Sequence, residues 1–248
     1  MWWHDSRSPL ATEEVISTMA HVIQAAPITV VPVKGGGEFP VHRIYCVGRN
    51  YVEHAQEMGH TGREPPFFFT KPADTVVYVP EGETGRIEYP SLTKNFHHEI
   101  ELVVAIGKGG RDIKASDALA CIWGYGVGLD MTRRDLQNEA KKQGRPWCIG
   151  KAFDQASPIG PLRSIKETGE LSSGAITLKV NGAVKQKGDL SQLIWNVGEI
   201  IEHLSSGWAL QPGDLIYTGT PAGVGAVGKG DTMEGEIAGL GTLKVTVG

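Results

Sequence analysis

Residues 97–106 read His97-His98-Glu99-Ile100-Glu101-Leu102-Val103-Val104-Ala105-Ile106. The apolar run from Leu102 to Ile106 predicts a strand over Glu99–Ile106 that is largely buried. In a strand, residues i and i+2 project from one face about 7 Å apart, so Glu99 and Glu101 share a face. Two neighbouring carboxylates repel and resist burial unless a cation lies between them. A divalent metal meets that need. A solvent-facing Glu-x-Glu strand is the alternative that this pattern alone leaves open.

Short strands surround this one in sequence. Phe67 to Lys71 is an apolar strand stopped by Pro72, and residues 27–47 read as two short strands joined by Lys34-Gly35-Gly36-Gly37. Ile122 to Asp130 is strand-like and rich in glycine. Ile176–Val180 and Ala183–Gln186 flank Asn181-Gly182, a pair suited to a type I′ hairpin turn. Helices are fewer. Thr12 is a candidate N-cap for a helix to Gln24, Arg49–Met58 holds one or two turns, and Ala115–Cys121 is helical from about Ser116. Thr132 is a candidate N-cap for a polar helix to Lys142. Leu193–Leu204 is amphipathic, with Ile194, Val197, Ile201 and Leu204 on one face. The 33 glycines and 14 prolines favour tight turns over long helices. Strands outnumber helices and do not alternate with them in βαβ order, so the fold class is α+β. Residues 1–40 read as an N-terminal extension with a small strand segment, and 41–248 as the catalytic domain. Met19 is an alternative natural start, with residues 1–18 upstream of it.

Several function classes are excluded. With net charge −4 and no basic stripe interleaved with aromatics, nucleic acid is not an expected partner. No apolar stretch approaches the ~20 residues of a membrane helix. The start, MWWHDSRSPL, lacks the pattern of a signal peptide. Cys46, Cys121 and Cys148 form no C-x-x-C and suggest neither a disulfide framework nor a zinc knuckle. A cytoplasmic protein is the expectation. Gly223-x-Gly225-x-x-Gly228 has dinucleotide-fingerprint spacing, but Gly-Asp-Thr-Met-Glu-Gly follows it where a helix is required.

Four constellations carry chemistry. Glu99 and Glu101 are joined by Asp130, which ends Gly124-Tyr-Gly-Val-Gly-Leu-Asp. Carboxylates suit a hard cation such as Mg2+. In Asn50-Tyr51-x-x-His54-x-x-Glu57, His54 and Glu57 meet at i, i+3 if the segment is helical, and a carboxylate beside imidazole makes it a better base. An ordinary surface His–Glu pair fits the same spacing. Lys151, with Arg134 and Gln137 upstream, can hold a developing oxyanion if it is partly buried. Tyr217-Thr218-Gly219-Thr220-Pro221-Ala222-Gly223 offers hydroxyls and amides for a small carboxylate, or is a plain turn.

Taken together and in order, Gly48-Arg49-Asn50-Tyr51, His54, Glu57, Lys71-Pro72, His98-Glu99-x-Glu101, Leu129-Asp130-Met131-Thr132, Arg134-Asp135, Gln137, Lys151 and Gly219-Thr220-Pro221-Ala222-Gly223 resemble the fumarylacetoacetate hydrolase superfamily. The resemblance is to its acylpyruvase branch and spans about Val41 to Val247. Val41–Pro72 looks most like bacterial fumarylpyruvate hydrolases of the gentisate pathway.

The resemblance implies a mixed β-roll of layered sheets, a homodimer, and Mg2+ or Mn2+ on Glu99, Glu101 and Asp130. It implies a small 2-oxo acid substrate and hydrolysis of the carbon–carbon bond of a 2,4-diketo acid, fumarylpyruvate yielding fumarate and pyruvate. His54, oriented by Glu57, would deprotonate water, while Lys151 and Gln137 stabilise the oxyanion or the substrate carboxylate. Thr220 would help seat the pyruvate carboxylate, Tyr51 would contact substrate, and Arg49, Arg134 or Arg145 would meet a distal carboxylate. Oxaloacetate decarboxylation and isomerisation or tautomerisation of a 2-oxo diacid are rival outcomes on the same fold. A binding protein without catalysis is a more remote alternative.

Overall fold

A computed structural model of the chain describes residues 22–51 and 63–248. His54, Glu57, the helix predicted from Thr12 and most of that predicted over Arg49–Met58 lie outside the described residues.

The strand Ile100–Ile106 is buried at all seven positions. It lies inside an eight-stranded mixed sheet whose order is Phe67–Lys71, Ile44–Gly48, Leu215–Tyr217, Ile100–Ile106, Ile122–Leu129, Ser157–Ile159 and Val76–Tyr78, with Arg163–Ser164 also paired to Ile122–Leu129. Its two faces have different fates. Ile100, Leu102, Val104 and Ile106 enter the larger core with Leu178, Met233 and Val245 of a second, five-stranded sheet. Val103 and Ala105 enter a smaller core with Ile44, Cys46 and Tyr217. Each of these larger aliphatic side chains contributes about 1.5–3 kcal/mol by leaving water. That burial fixes the register, because a slip of one residue would exchange the faces.

Glu99 departs from the expected strand. It sits at a joint: His98 pairs with Gly225 in a three-stranded sheet, and Ile100 pairs with Leu129 in the eight-stranded one. The chain changes sheets at this residue, so one continuous strand over 99–106 becomes Phe96–His98 and Ile100–Ile106.

The remaining elements largely follow the sequence. Val30–Pro32 pairs with Glu38–Pro40 across the glycine turn and buries Val31 and Phe39 in the smaller core. Phe67–Lys71 is a strand. Asn181 and Gly182 have φ of 52° and 80°, as a type I′ turn requires, between Ala175–Val180 and Ala183–Asp189. Three helix starts differ from expectation. The helix Arg134–Lys142 begins after a two-residue strand, Thr132–Arg133, and Thr132 does not cap it. The 3-10 helix Ala115–Cys121 follows Lys114 without a side-chain cap, and Ser116 Oγ turns to Asp117 instead. The amphipathic helix spans Val197–Gly207 rather than starting at Leu193, because Asn196 and Glu199 form a reciprocal capping box at its N-terminus. After Gly228 the chain turns into the strand Thr232–Ile237, not a helix, which removes the dinucleotide reading. Among the described residues, no helix is long and apolar enough to cross a membrane.

Candidate metal centre

The pairing of Ile100 with Leu129 brings the joint residue Glu99 against Asp130, whose backbone amide donates to Glu99 O at 2.8 Å. Glu101 projects from the next position on that side. Glu99, Glu101 and Asp130 are all buried, and each offers an oxygen within 4.8 Å of the others. Glu101 Oε2 accepts the amide of Gly219 at 2.7 Å. That contact needs glycine: Gly219 has φ +101°, and a Cβ there would lie 2.7 Å from Asn50 Cβ.

Three buried cations enclose the carboxylates. Lys151 Nζ donates to Glu99 Oε2, Asp130 Oδ2 and Thr132 Oγ1, each at 2.7 Å. This is the role Thr132 has in place of capping. Lys151 reaches so far because its short helix, Cys148–Lys151, lies against Arg134–Lys142; a Cβ on Gly150 would come 2.8 Å from Gln137 N. Lys71 Nζ stands 2.6 Å from Asp130 Oδ1 and donates to Ala156 O and Met131 O. Arg134 pairs with Glu99 Oε1 and donates to Gln137 Oε1 at 2.6 Å.

Electrostatics follow from burial and crowding. Burial, then Asp130 and Glu99, raise the Glu101 carboxyl well above the usual range. Burial alone would lower Lys151, but Asp130 and Glu99 outweigh it and hold the ammonium above its ordinary value. His97 is brought down to about 4, by burial and then by Arg134, and so stays neutral. The donor set suits a divalent cation. It offers three hard oxygen ligands in one place, all buried, with Asp130 Oδ1 paired to the Lys71 ammonium.

Around this floor a cleft is lined by Arg49, Phe69, Arg134, Gln137, Lys141, Trp147, Lys151 and Thr220. Thr220 donates its hydroxyl to Ile100 O at 2.7 Å and accepts from Gln186. Tyr51 is not among the lining residues. It packs in the larger core with its hydroxyl buried and unpartnered among the described residues, and burial followed by the Glu101 charge raises its pKa above the usual tyrosine range, so the phenol is a weaker acid. Arg145 lies beside the cleft in a more open pocket with Phe68, Thr70 and Cys148. Lys141 was absent from the sequence-based reading, and Lys71 entered it only within the Lys71-Pro72 motif, with no role in the site. Lys71 closes the apolar run Phe67-Phe68-Phe69-Thr70 just before a proline, and Arg134, Gln137 and Lys141 follow the i, i+3, i+7 spacing of one helix face.

Residues 43–248 match the family Fumarylacetoacetate (FAA) hydrolase C-terminal. The chain belongs to this family. Within it, the chain is 48% identical over 189 residues to the fumarylpyruvate hydrolase of Ralstonia sp, covering 75% of this chain and 94% of that one. It is 42% identical over 200 residues to the mitochondrial oxaloacetate decarboxylase of Dictyostelium discoideum, covering 81% and 90%. The crystal structure of fumarylpyruvate hydrolase from Pseudomonas aeruginosa, in complex with Mn2+ and pyruvate, superposes with a TM-score of 0.91 at 53% identity, covering 92% of this chain and 99% of that chain. The layered mixed sheets are thus the C-terminal-domain fold of the fumarylacetoacetate hydrolase family.

Proposed function

We propose that this chain is a metal-dependent hydrolase of acylpyruvates, with fumarylpyruvate as substrate and fumarate and pyruvate as products. The observation that carries this reading is a buried triad of carboxylates, Glu99, Glu101 and Asp130, in a chain 53% identical to a fumarylpyruvate hydrolase whose structure contains Mn2+ and pyruvate.

In this reading the triad holds Mg2+ or Mn2+, which supplies a Lewis acid for the C1 carboxylate and C2 oxygen of the 2-oxo acid and favours departure of the pyruvate half. Lys151, already fixed by Glu99, Asp130 and Thr132, presents its positive charge to negative charge that develops on substrate. Arg134 holds Gln137 in place, and Gln137 turns its amide to the substrate carboxylate. Gly219 and Thr220 keep Glu101 and the strand end at Ile100 from shifting. His54, oriented by Glu57, takes a proton from the water that attacks the C4 carbonyl; the C3–C4 bond then breaks, its electron pair leaves with the pyruvate enolate, and protonation at C3 gives pyruvate. His54→Ala is expected to lower turnover by about 10²–10⁴-fold, the usual worth of a general base, while metal affinity is retained. An unchanged rate removes His54 from the mechanism.

The relative named as an oxaloacetate decarboxylase favours a second reading, in which the same metal and cations stabilise an enolate formed by loss of carbon dioxide and no water attacks. A panel of acylpyruvates and oxaloacetate, assayed with Mg2+ or Mn2+, separates the two. Loss of the ultraviolet band of fumarylpyruvate at a higher kcat/KM than pyruvate release from oxaloacetate supports hydrolysis, and the reverse order favours decarboxylation.

A further inference from the structure

The charges of the cleft are not balanced evenly from floor to wall. On the floor, Glu99, Glu101 and Asp130 face Lys71, Arg134 and Lys151, three against three. Arg49 and Lys141 line the same cleft and are left over. Among the described residues, neither stands within ion-pair distance of a carboxylate. Each lies over a ring: Arg49 Cζ is 4.9 Å from the centroid of Phe67, and Lys141 Nζ is 4.9 Å from that of Trp147. Trp147 in turn meets Phe67 edge-on at 5.2 Å and Phe69 at 5.7 Å. A cation over a ring is steadied by the ring's quadrupole, yet it keeps hydrogens to donate elsewhere.

Such a wall is costly without an anion. Lys141 is half-buried, and burial, Arg134 and Arg49 together bring it down to about 8. Two cations held near each other, with flat aromatic faces beside them, match a planar group that ends in a carboxylate.

We propose that Arg49 and Lys141 receive a second carboxylate at the far end of the acyl half, with Phe69 and Trp147 flanking the planar chain, so that the cleft selects 2,4-diketo acids whose acyl half is itself an acid. This rests on the acylpyruvate reading above. It also orders the three arginines considered from sequence. Arg134 is committed to Glu99 and Gln137, Arg145 is exposed outside the cleft, and Arg49 remains, joined by Lys141.

The test compares fumarylpyruvate with crotonylpyruvate, in which a methyl group replaces the far carboxylate, on the Mg2+-loaded protein. Wild type is expected to favour fumarylpyruvate. In Lys141→Gln the ratio of kcat/KM for the two compounds falls about 10- to 100-fold, the worth of a charge-assisted hydrogen bond, and most of the change is in KM. Lys141→Arg restores most of the ratio. A ratio unmoved in both Lys141→Gln and Arg49→Gln overturns the subsite. If wild type turns over neither compound, the proposed function fails, and calorimetry with fumarate against crotonate reads the subsite directly. A preference for fumarate that Lys141→Gln abolishes then supports the subsite, and equal binding overturns it.

Discussion

The floor and the wall of this cleft carry charge in opposite ways. On the floor, six charged side chains are buried and almost fully committed to one another, and their elements come from distant parts of the chain: a strand end at Lys71, a sheet joint at Glu99, a strand end at Asp130 and a short helix at Lys151. On the wall, Arg49 and Lys141 are half-exposed and lean on rings rather than on carboxylates. Removing a buried ion from water costs several kcal/mol, so the floor persists only while every member is present. The wall carries no such mutual dependence. The difference separates two demands. In the proposed function, fixed charge at the reacting centre is tied to the stability of the fold, whereas recognition of the far end of the substrate rests on side chains that can change without endangering it.

The most severe test of this contrast is metal removal. A chelator is expected to abolish turnover, and added Mg2+ or Mn2+ to restore it. Full activity of the metal-free protein removes the metal from the floor and leaves the triad without its proposed task. Next in size is the loss of one floor cation. Lys71→Met leaves Asp130 buried with one partner fewer and is expected to destabilise the metal-free protein by about 3–5 kcal/mol in urea unfolding. Lys141→Met on the wall is expected to change stability by about 1 kcal/mol or less. Similar losses for the two lysines would erase the distinction between floor and wall.

What the sequence disclosed depended on how local each signal was. The strand Ile100–Ile106 was legible from its own apolar run, and the two glutamates from their spacing. Asp130 could be named because it ends a glycine-rich strand next in line. The joint at Glu99 was not legible, since it arises from His98 and Ile100 pairing with strands more than twenty residues away, Gly225 and Leu129. Thr132 had the composition of a helix cap, yet its hydroxyl is taken by Lys151, a non-local contact that outweighs a local preference. Lys71 was quoted in the Lys71-Pro72 motif but given no role, for the same reason. Its carbonyl partners, Met131 and Ala156, lie 60 and 85 positions along the chain, and nothing in Phe-Phe-Phe-Thr-Lys announces them. Lys141 had a local signal, the shared helix face with Arg134 and Gln137, but a polar helix face more often meets solvent.

The smallest expected effect is a pH dependence confined to the wall. Lys141 faces Arg134, Arg49, Lys151 and Glu99, and burial with the first two of these brings its ammonium down to about 8. Below that pH it is charged, and above it the amine is neutral, so attraction for a second carboxylate weakens as pH rises through about 8. The preference for fumarylpyruvate over crotonylpyruvate, read as a ratio of kcat/KM values, should therefore decline on the alkaline side by up to about tenfold. The kcat/KM ratio is the proper quantity because it reports the free enzyme, before a bound anion raises the lysine again. Any ionisation on the floor acts on both compounds and cancels. Lys141→Arg carries a charge that does not titrate in this range, so its ratio should stay flat with pH. A ratio that declines equally in Lys141→Arg assigns the titration to another group and removes Lys141 from the selection of substrate.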